Sequence, residues 1–176
     1  MALVVLLRGV NVGGKRTFRP TVLAARLKHL RVVNIGAAGT FIVRKAVSRE
    51  QVRAEFSRNL PFDAEMVICQ GKEIEGLLCH DVFADQPEKP GTVRFVSVLT
   101  SRPRTNPSLP MNFPTTGEWL LRICARDGRF VFGEYQRHMK TIGYLGALDR
   151  VFGVPVTTRN WNTINAIVKR LEDPGA

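Results

Sequence analysis

The chain has 176 residues, 44% of them apolar, which is enough to fill one core or two small ones and excludes an intrinsically disordered chain. Lysine and arginine number 26 against 15 aspartates and glutamates, and the net charge of +11 favours anionic partners, either phosphorylated small molecules or nucleic acid. The first apolar run is broken by Arg8 after six residues, too short for a signal peptide or a membrane span, so no membrane partner and a cytoplasmic location are expected.

In chain order, "ALVVLL" has the length and Val/Leu content of a buried strand. After the glycine loop "GVNVGGKR", the segment "PTVLAARLKHL" places Leu23, Leu27 and Leu30 at helical spacing behind Pro20, a residue tolerated in a first turn. "RVVNI" and "TFIVRK" read as two short strands around the turn-like "GAAG". "SREQVRAEFSRNL" opens with a capping box, Ser48 with Gln51, and Pro61 ends it, while "AEMVICQ" closes the half as a strand. The order βαββαβ is that of a ferredoxin-like plait. "GKEIEGLLCHDVF" reads as a connecting helix, and "DQPEKPG" marks a domain boundary near residue 88.

The second half begins with the strand "TVRFVSVLT". "SRPRTNPSLPMNFPTT" is expected to be an irregular loop because its prolines remove ladder donors. "EWLLRICA" and "RFVFGEY" flank Asp127 and Gly128, a hairpin turn signal. "TIGYLGALDRVF" is a helix, "VPVTT" a short strand and "WNTINAIVKRLED" a final helix with Ile164, Val168 and Leu171 inward and Asn160 as N-cap. The expected fold is therefore α+β, two ferredoxin-like units with antiparallel sheets packed together, residues 1–88 and 89–176, the Pro-rich loop standing where the second unit would have a helix.

"GVNVGGK" spells most of a phosphate-binding P-loop, but Arg16 stands where a magnesium-binding Ser or Thr belongs, and Pro20 sets the helix start about a turn beyond Lys15. The loop is a strand-to-helix connection, with Gly9, Gly13 and Gly14 letting the chain turn. Before Glu50 the chain has no acidic residue, only Arg8, Lys15, Arg16, Arg19, Arg26, Lys28, Arg31, Arg44, Lys45 and Arg49. That stretch is either a phosphate-attracting surface or a solvated basic face.

"LLRGVNVGGK" near the start, "LPFDAEMVI" and "FVSVL" in the middle, and "GVPVTTRNWNT" near the end resemble the bacterial family catalogued as domain of unknown function 1697. The resemblance spans nearly the whole chain and implies two ferredoxin-like units, but no activity. It singles out Arg8, Gly9, Asn11, Gly13, Gly14 and Lys15 in one motif, and Thr157, Thr158, Arg159, Asn160, Trp161, Asn162 and Thr163 in the other. Two departures bear on function: Ala38, Gly39 and Thr40 replace the usual Ser-Gly-Asn, and of a Gly-rich Ser-Lys-Leu segment only Lys140 is retained.

Chemically, Arg8, Lys15 and Arg159 supply cations, Asn11, Asn160 and Asn162 neutral donors and acceptors, and Trp161 a flat wall. Should the motifs meet, that set suits an anionic, ribose-bearing ligand such as a nucleotide or sugar phosphate, or nucleic acid. Neither motif contains Asp, Glu, His or Cys, so no general base or nucleophile is visible, and no cofactor is expected. Three alternatives stand beside this reading: motifs that serve packing and capping alone, an RNA-binding sheet for which the strands offer too few aromatics, and a phosphoryl-substrate transferase or hydrolase using lysine, arginine and hydroxyl groups, which lacks an acid/base pair unless Glu118, Asp127 or Glu134 lies near Arg159. His29, His80 and His138 are scattered without metal-ligand spacing, and Cys69, Cys79 and Cys124 are expected to be reduced, buried thiols. The sequence sets no oligomeric state.

Overall fold

The computed structural model describes residues 1–79 and 82–173. The protein is an α+β mixture with two antiparallel sheets, and the chain forms two compact units: Met1–His80 with Asn162–Ala176, and Asp81–Trp161. The division falls a few residues before the Pro/Gly-containing segment, and it places the terminal helix with the first unit.

The first unit runs β1 (Leu3–Leu7), α1 (Pro20–Arg26), β2 (Val32–Ile35), β3 (Thr40–Val43), α2 (Arg49–Asn59), β4 (Met66–Gln70) and α3 (Gly71–Cys79), completed by α5 (Trp161–Glu172). Its sheet has the order β2-β3-β1-β4 with every pairing antiparallel. β1 lies inside the sheet and all five of its residues are buried, which explains an unbroken apolar run instead of alternation. Pro20 starts α1, and a 3-10 turn at Lys28–Leu30 continues it far enough to bury Leu27 and Leu30 beside Leu23. The capping box on α2 is closed in both directions, Ser48 Oγ accepting from the Gln51 N–H at 3.1 Å and Gln51 Oε1 from the Ser48 N–H at 3.0 Å. α2 buries Val52 and Phe56, and the Phe56 ring meets Phe41 edge-on at 5.3 Å in the core.

Arg44 closes the far end of α5: its Nη2 donates to the carbonyls of Arg170 at 2.6 Å and Asp173 at 2.8 Å. A guanidinium at a helix C-terminus satisfies orphan carbonyls and complements the dipole. One cation of the acid-free stretch is thereby explained by folding.

The second unit runs β5 (Thr92–Leu99), β6 (Met111–Phe113), β7 (Leu121–Asp127), β8 (Phe130–Gln136), α4 (Thr141–Phe152) and β9 (Val156–Asn160). The sheet order is β6-β7-β8-β5-β9. With β6 set aside, the strands fall in the same order as in the first sheet, and the Pro-rich segment occupies the chain position of α1. β6 corrects the expectation of a wholly irregular loop. Pro110 and Pro114 flank the three paired residues instead of occupying them, and β6 is an edge strand, where proline is tolerated. The β7–β8 hairpin pairs Asp127 with Phe130, so its two-residue loop is Gly128–Arg129, one position later than expected, with Gly128 at φ +54°.

Phe95, Leu99, Val131, Leu148 and Phe152 form the second core, between one sheet face and α4. On that face Ser97 Oγ and Thr158 Oγ1 share a hydrogen bond of 2.6 Å, satisfying two hydroxyls beside the core. Of the cysteines, Cys69 is buried, Cys124 is half-buried and Cys79 is exposed at the end of α3, which corrects the expectation that all three are buried.

Candidate functional site

The glycine loop is a small hairpin. Val12 and Lys15 bridge antiparallel, the Lys15 N–H donates to the Val12 carbonyl at 3.2 Å, and the Asn11 N–H donates to the Arg16 carbonyl at 3.2 Å. Gly13 at φ +59° and Gly14 at φ +72° form the tip, as a two-residue turn of the primed type requires. α1 begins only at Pro20, so no helix N-terminus follows Lys15 directly, and the loop lacks the geometry of a P-loop. Gly13, Gly14, Lys15 and Arg16 are all exposed.

Asn11 holds the hairpin down. Its Nδ2 donates to the Ala37 carbonyl and its Oδ1 accepts from the Phe18 N–H, both at 2.9 Å, while its own φ of +55° is one that asparagine tolerates. Gly39 lies against the same segment: a Cβ there would stand 2.6 Å from Val10 Cγ2 and 2.9 Å from Leu7 Cβ. Thus Gly39, unchanged between the departures Ala38 and Thr40, is required by close packing.

Arg8 follows the last residue of β1. Its Nη1 donates to Glu65 Oε2 at 2.7 Å, and its N–H donates to the Glu65 carbonyl at 2.9 Å. Beside this pair opens a cleft of about 500 Å³ whose walls include Arg8, Arg16, Ser57, Asp63 and Glu65. Lys15 and Asn11 are outside its lining.

The second motif is built differently. Trp161 is 7% exposed, and its ring meets Phe83 edge-on at 5.3 Å and Phe132 at 6.4 Å. Arg159, 8% exposed, donates from Nη1 to the Thr158 carbonyl at 2.9 Å. Burial lowers its pKa to about 10, which leaves the guanidinium charged at neutral pH. Asn160, the exposed last residue of β9, directly precedes α5, and Asn162 is exposed in its first turn. The first motif, Arg8 to Lys15, falls in the first unit, while the second is divided: Thr157 to Trp161 fall in the second unit, Asn162 and Thr163 in the first.

Acid/base chemistry finds few partners. Glu134 is buried on β8 and pairs with Arg94, Nε to Oε1 at 3.6 Å, while Arg159 faces Val96 two residues further along β5. Glu118 lies 3.5 Å from Gln136 Nε2, and Asp127 ends β7 at the hairpin. His29 Nε2 stands 3.4 Å from Glu55 Oε2, and His138 Nδ1 accepts from the Lys140 N–H at 3.2 Å. His80 lies outside the described residues, among which no group of three or more His, Cys, Asp or Glu is arranged to hold a metal.

These features define a chain with two antiparallel sheets and an asparagine-clasped glycine hairpin after its first strand. A family model described as "Protein of unknown function (DUF1697)" matches residues 1–115, and the chain belongs to that family. The TTRNWNT motif lies beyond the matched region. No curated protein matches the chain. Among solved structures, it is similar to the conserved bacterial protein SP0830 from Streptococcus pneumoniae, with a TM-score of 0.64 and 16% identity over 97% of this chain and 98% of that one. At that identity the likeness shows the fold alone. No helix among the described residues is long and apolar enough to cross a membrane.

Proposed function

We propose that the protein binds a phosphorylated, hydroxyl-bearing small molecule, a sugar phosphate or a nucleotide, in the cleft walled by Arg8 and Arg16. The observation that carries this reading is the pairing of opposite chemistries on one opening: Arg8 and Arg16 beside Asp63, Glu65 and Ser57. Guanidinium groups offer forked donors to phosphate oxygens, and carboxylates accept from sugar hydroxyls. A nucleic-acid backbone fits this lining less well, because two carboxylates repel successive phosphates. The Arg8–Glu65 ion pair fixes the orientation of one guanidinium before any ligand arrives, which reduces the ordering cost of binding.

A packing role is favoured for part of the second motif, since Trp161 is spent on aromatic contacts with Phe83 and Phe132. No reaction is assigned to the cleft.

The test is a thermal-shift screen of sugar phosphates and nucleotides at low and moderate salt, with wild type beside Arg16→Ala, a change at an exposed side chain. A stabilisation by one ligand class that Arg16→Ala abolishes is the expected result. Absence of any shift in the wild type, or an equal shift in the variant, overturns the proposal.

A further inference from the structure

A second opening lies wholly within the second unit. It measures about 420 Å³ and is lined by the chain leaving β5, Leu99 to Pro103, and by the β7–β8 turn with Arg126, Gly128 and Arg129. Three arginines therefore line one cleft, beside the residues Thr100 and Ser101. No acidic residue is among the described residues that line it, although Asp127 sits in the chain between Arg126 and Gly128. This separates the opening from the first unit's cleft, where Asp63 and Glu65 share the lining with the two arginines.

Two of the three arginines have defined positions. Arg126 Nη1 donates to the Gly128 carbonyl at 2.8 Å and its Nη2 donates to Asn106 Oδ1 at 3.0 Å. Arg129 is half-buried with its guanidinium carbon 5.8 Å from the centre of the Phe130 ring, and the backbone that carries it is tied to β5 by the Leu99 N–H donating to the Arg129 carbonyl at 2.8 Å. Arg102 is exposed. The lining also includes Leu99 and Pro103, whose low polarity strengthens the field of nearby cations.

Like charges gathered around one opening repel one another, and a bound polyanion relieves that repulsion while accepting several charge-assisted hydrogen bonds. We infer that the cleft between the β5 exit and the β7–β8 turn is a binding site for a small-molecule diphosphate or phosphate ester, with Arg102, Arg126 and Arg129 as the phosphate ligands. Thr100 and Ser101 add hydroxyl donors, although Thr100 Oγ1 already donates to the Pro155 carbonyl at 3.1 Å. Ser101 is thus the hydroxyl assigned to the ligand.

The test uses inorganic pyrophosphate as the probe and the full chain at 0.15 M salt. Titration is followed calorimetrically and by backbone amide NMR for the wild type, Arg102→Gln/Arg129→Gln and Arg16→Ala. The expected result is saturable binding that shifts amides of Ser101, Arg102 and Gly128, with the midpoint of those shifts weakened about tenfold or more in the double variant and the shifts of the same three amides retained in Arg16→Ala. The wild-type amide map reports on the site even where a variant folds poorly. Shifts confined to Arg8 and its neighbours, or no saturable binding, overturn the inference. So does tighter binding of single-stranded DNA than of pyrophosphate with a steep salt slope, which would make the cleft part of a polymer-binding surface. This inference does not rest on the first unit's cleft, and because the amide map separates the two openings, failure of either reading leaves the other standing.

Discussion

The Asn11 carboxamide reaches the backbone carbonyl of Ala37 across 2.9 Å, and that bond clasps the glycine hairpin to the turn between β2 and β3. The contact uses the carbonyl of residue 37 and no side chain of the turn. The departures at Ala38 and Thr40 therefore leave it intact, and the motif keeps its shape even where the usual polar turn residues are missing.

Asn11→Ala is expected to lower stability by about 1–3 kcal/mol, through loss of the bonds to Ala37 and Phe18 together with a positive φ that alanine resists. Asn11→Gly loses the same bonds but not the backbone preference. It should be the milder change by about 1 kcal/mol. Urea unfolding of the three proteins checks this order, and equal midpoints would remove the clasp from the account.

The glycines of the two turns are predicted to separate sharply. At Gly39 a methyl group would meet Val10 and Leu7 inside 3 Å at φ +70°, so Gly39→Ala combines overpacking of about 1–3 kcal/mol with backbone strain. At Gly13 no atom lies within 4 Å of the added carbon, and Gly13→Ala carries only the strain of φ +59°, about 1–2 kcal/mol. Melting temperatures should place Gly39→Ala well below Gly13→Ala. The reverse order would mean that the hairpin tip, not the packed turn, governs the loop.

The elements themselves were legible in the sequence because each carries its own local signal: the apolar run of β1, Pro20 at the start of α1, Ser48 with Gln51 on α2. β6 was hidden because proline content masks a three-residue edge strand that prolines only flank. Charge was read least well. The stretch before Glu50 has no acid in the sequence, yet Arg8 is matched by Glu65, 57 positions on, and Arg49 by Glu73 at 3.3 Å. Neutralisation between residues so far apart has no periodicity to reveal it. The arginine cleft of the second unit was invisible for the same reason, since Arg102 reaches Arg126 and Arg129 only once β5, β7 and β8 have paired.

Trp161→Ala is expected to destabilise the protein by about 3–5 kcal/mol, because it empties an aromatic site bordered by Phe83 and Phe132. Trp161→Phe keeps most of the apolar contact and should recover more than half of the loss. Chemical denaturation of the pair measures this. A wild-type midpoint for Trp161→Ala, with ligand binding lost, would return the indole to a binding role.

The three thiols should react in a fixed order at pH 8. Cys79 is exposed, whereas Cys69 is fully buried and Cys124 is half-buried with its pKa pushed up to about 11, chiefly by burial and then by the Glu134 carboxylate. A thiol of that pKa is only about 0.1% thiolate at pH 8, so one cysteine should label quickly in the native protein and three in denaturant. The same shift fixes the sign of a stability change. The folded state keeps a Cys124 proton that the unfolded chain releases near the ordinary thiol value of 9.0, so stability falls as pH rises from about 9 towards 11. Tyr135, also raised by burial, acts in the same direction from about pH 10. Arg159, lowered to about 10, acts oppositely from about pH 9 upward, because the unfolded chain then holds more protons than the native one. Arg159 and Tyr135 contribute alike to both proteins, so between pH 9 and 10 urea midpoints should fall more steeply for the wild type than for Cys124→Ala. A slope shared equally by both proteins would assign the effect to another group.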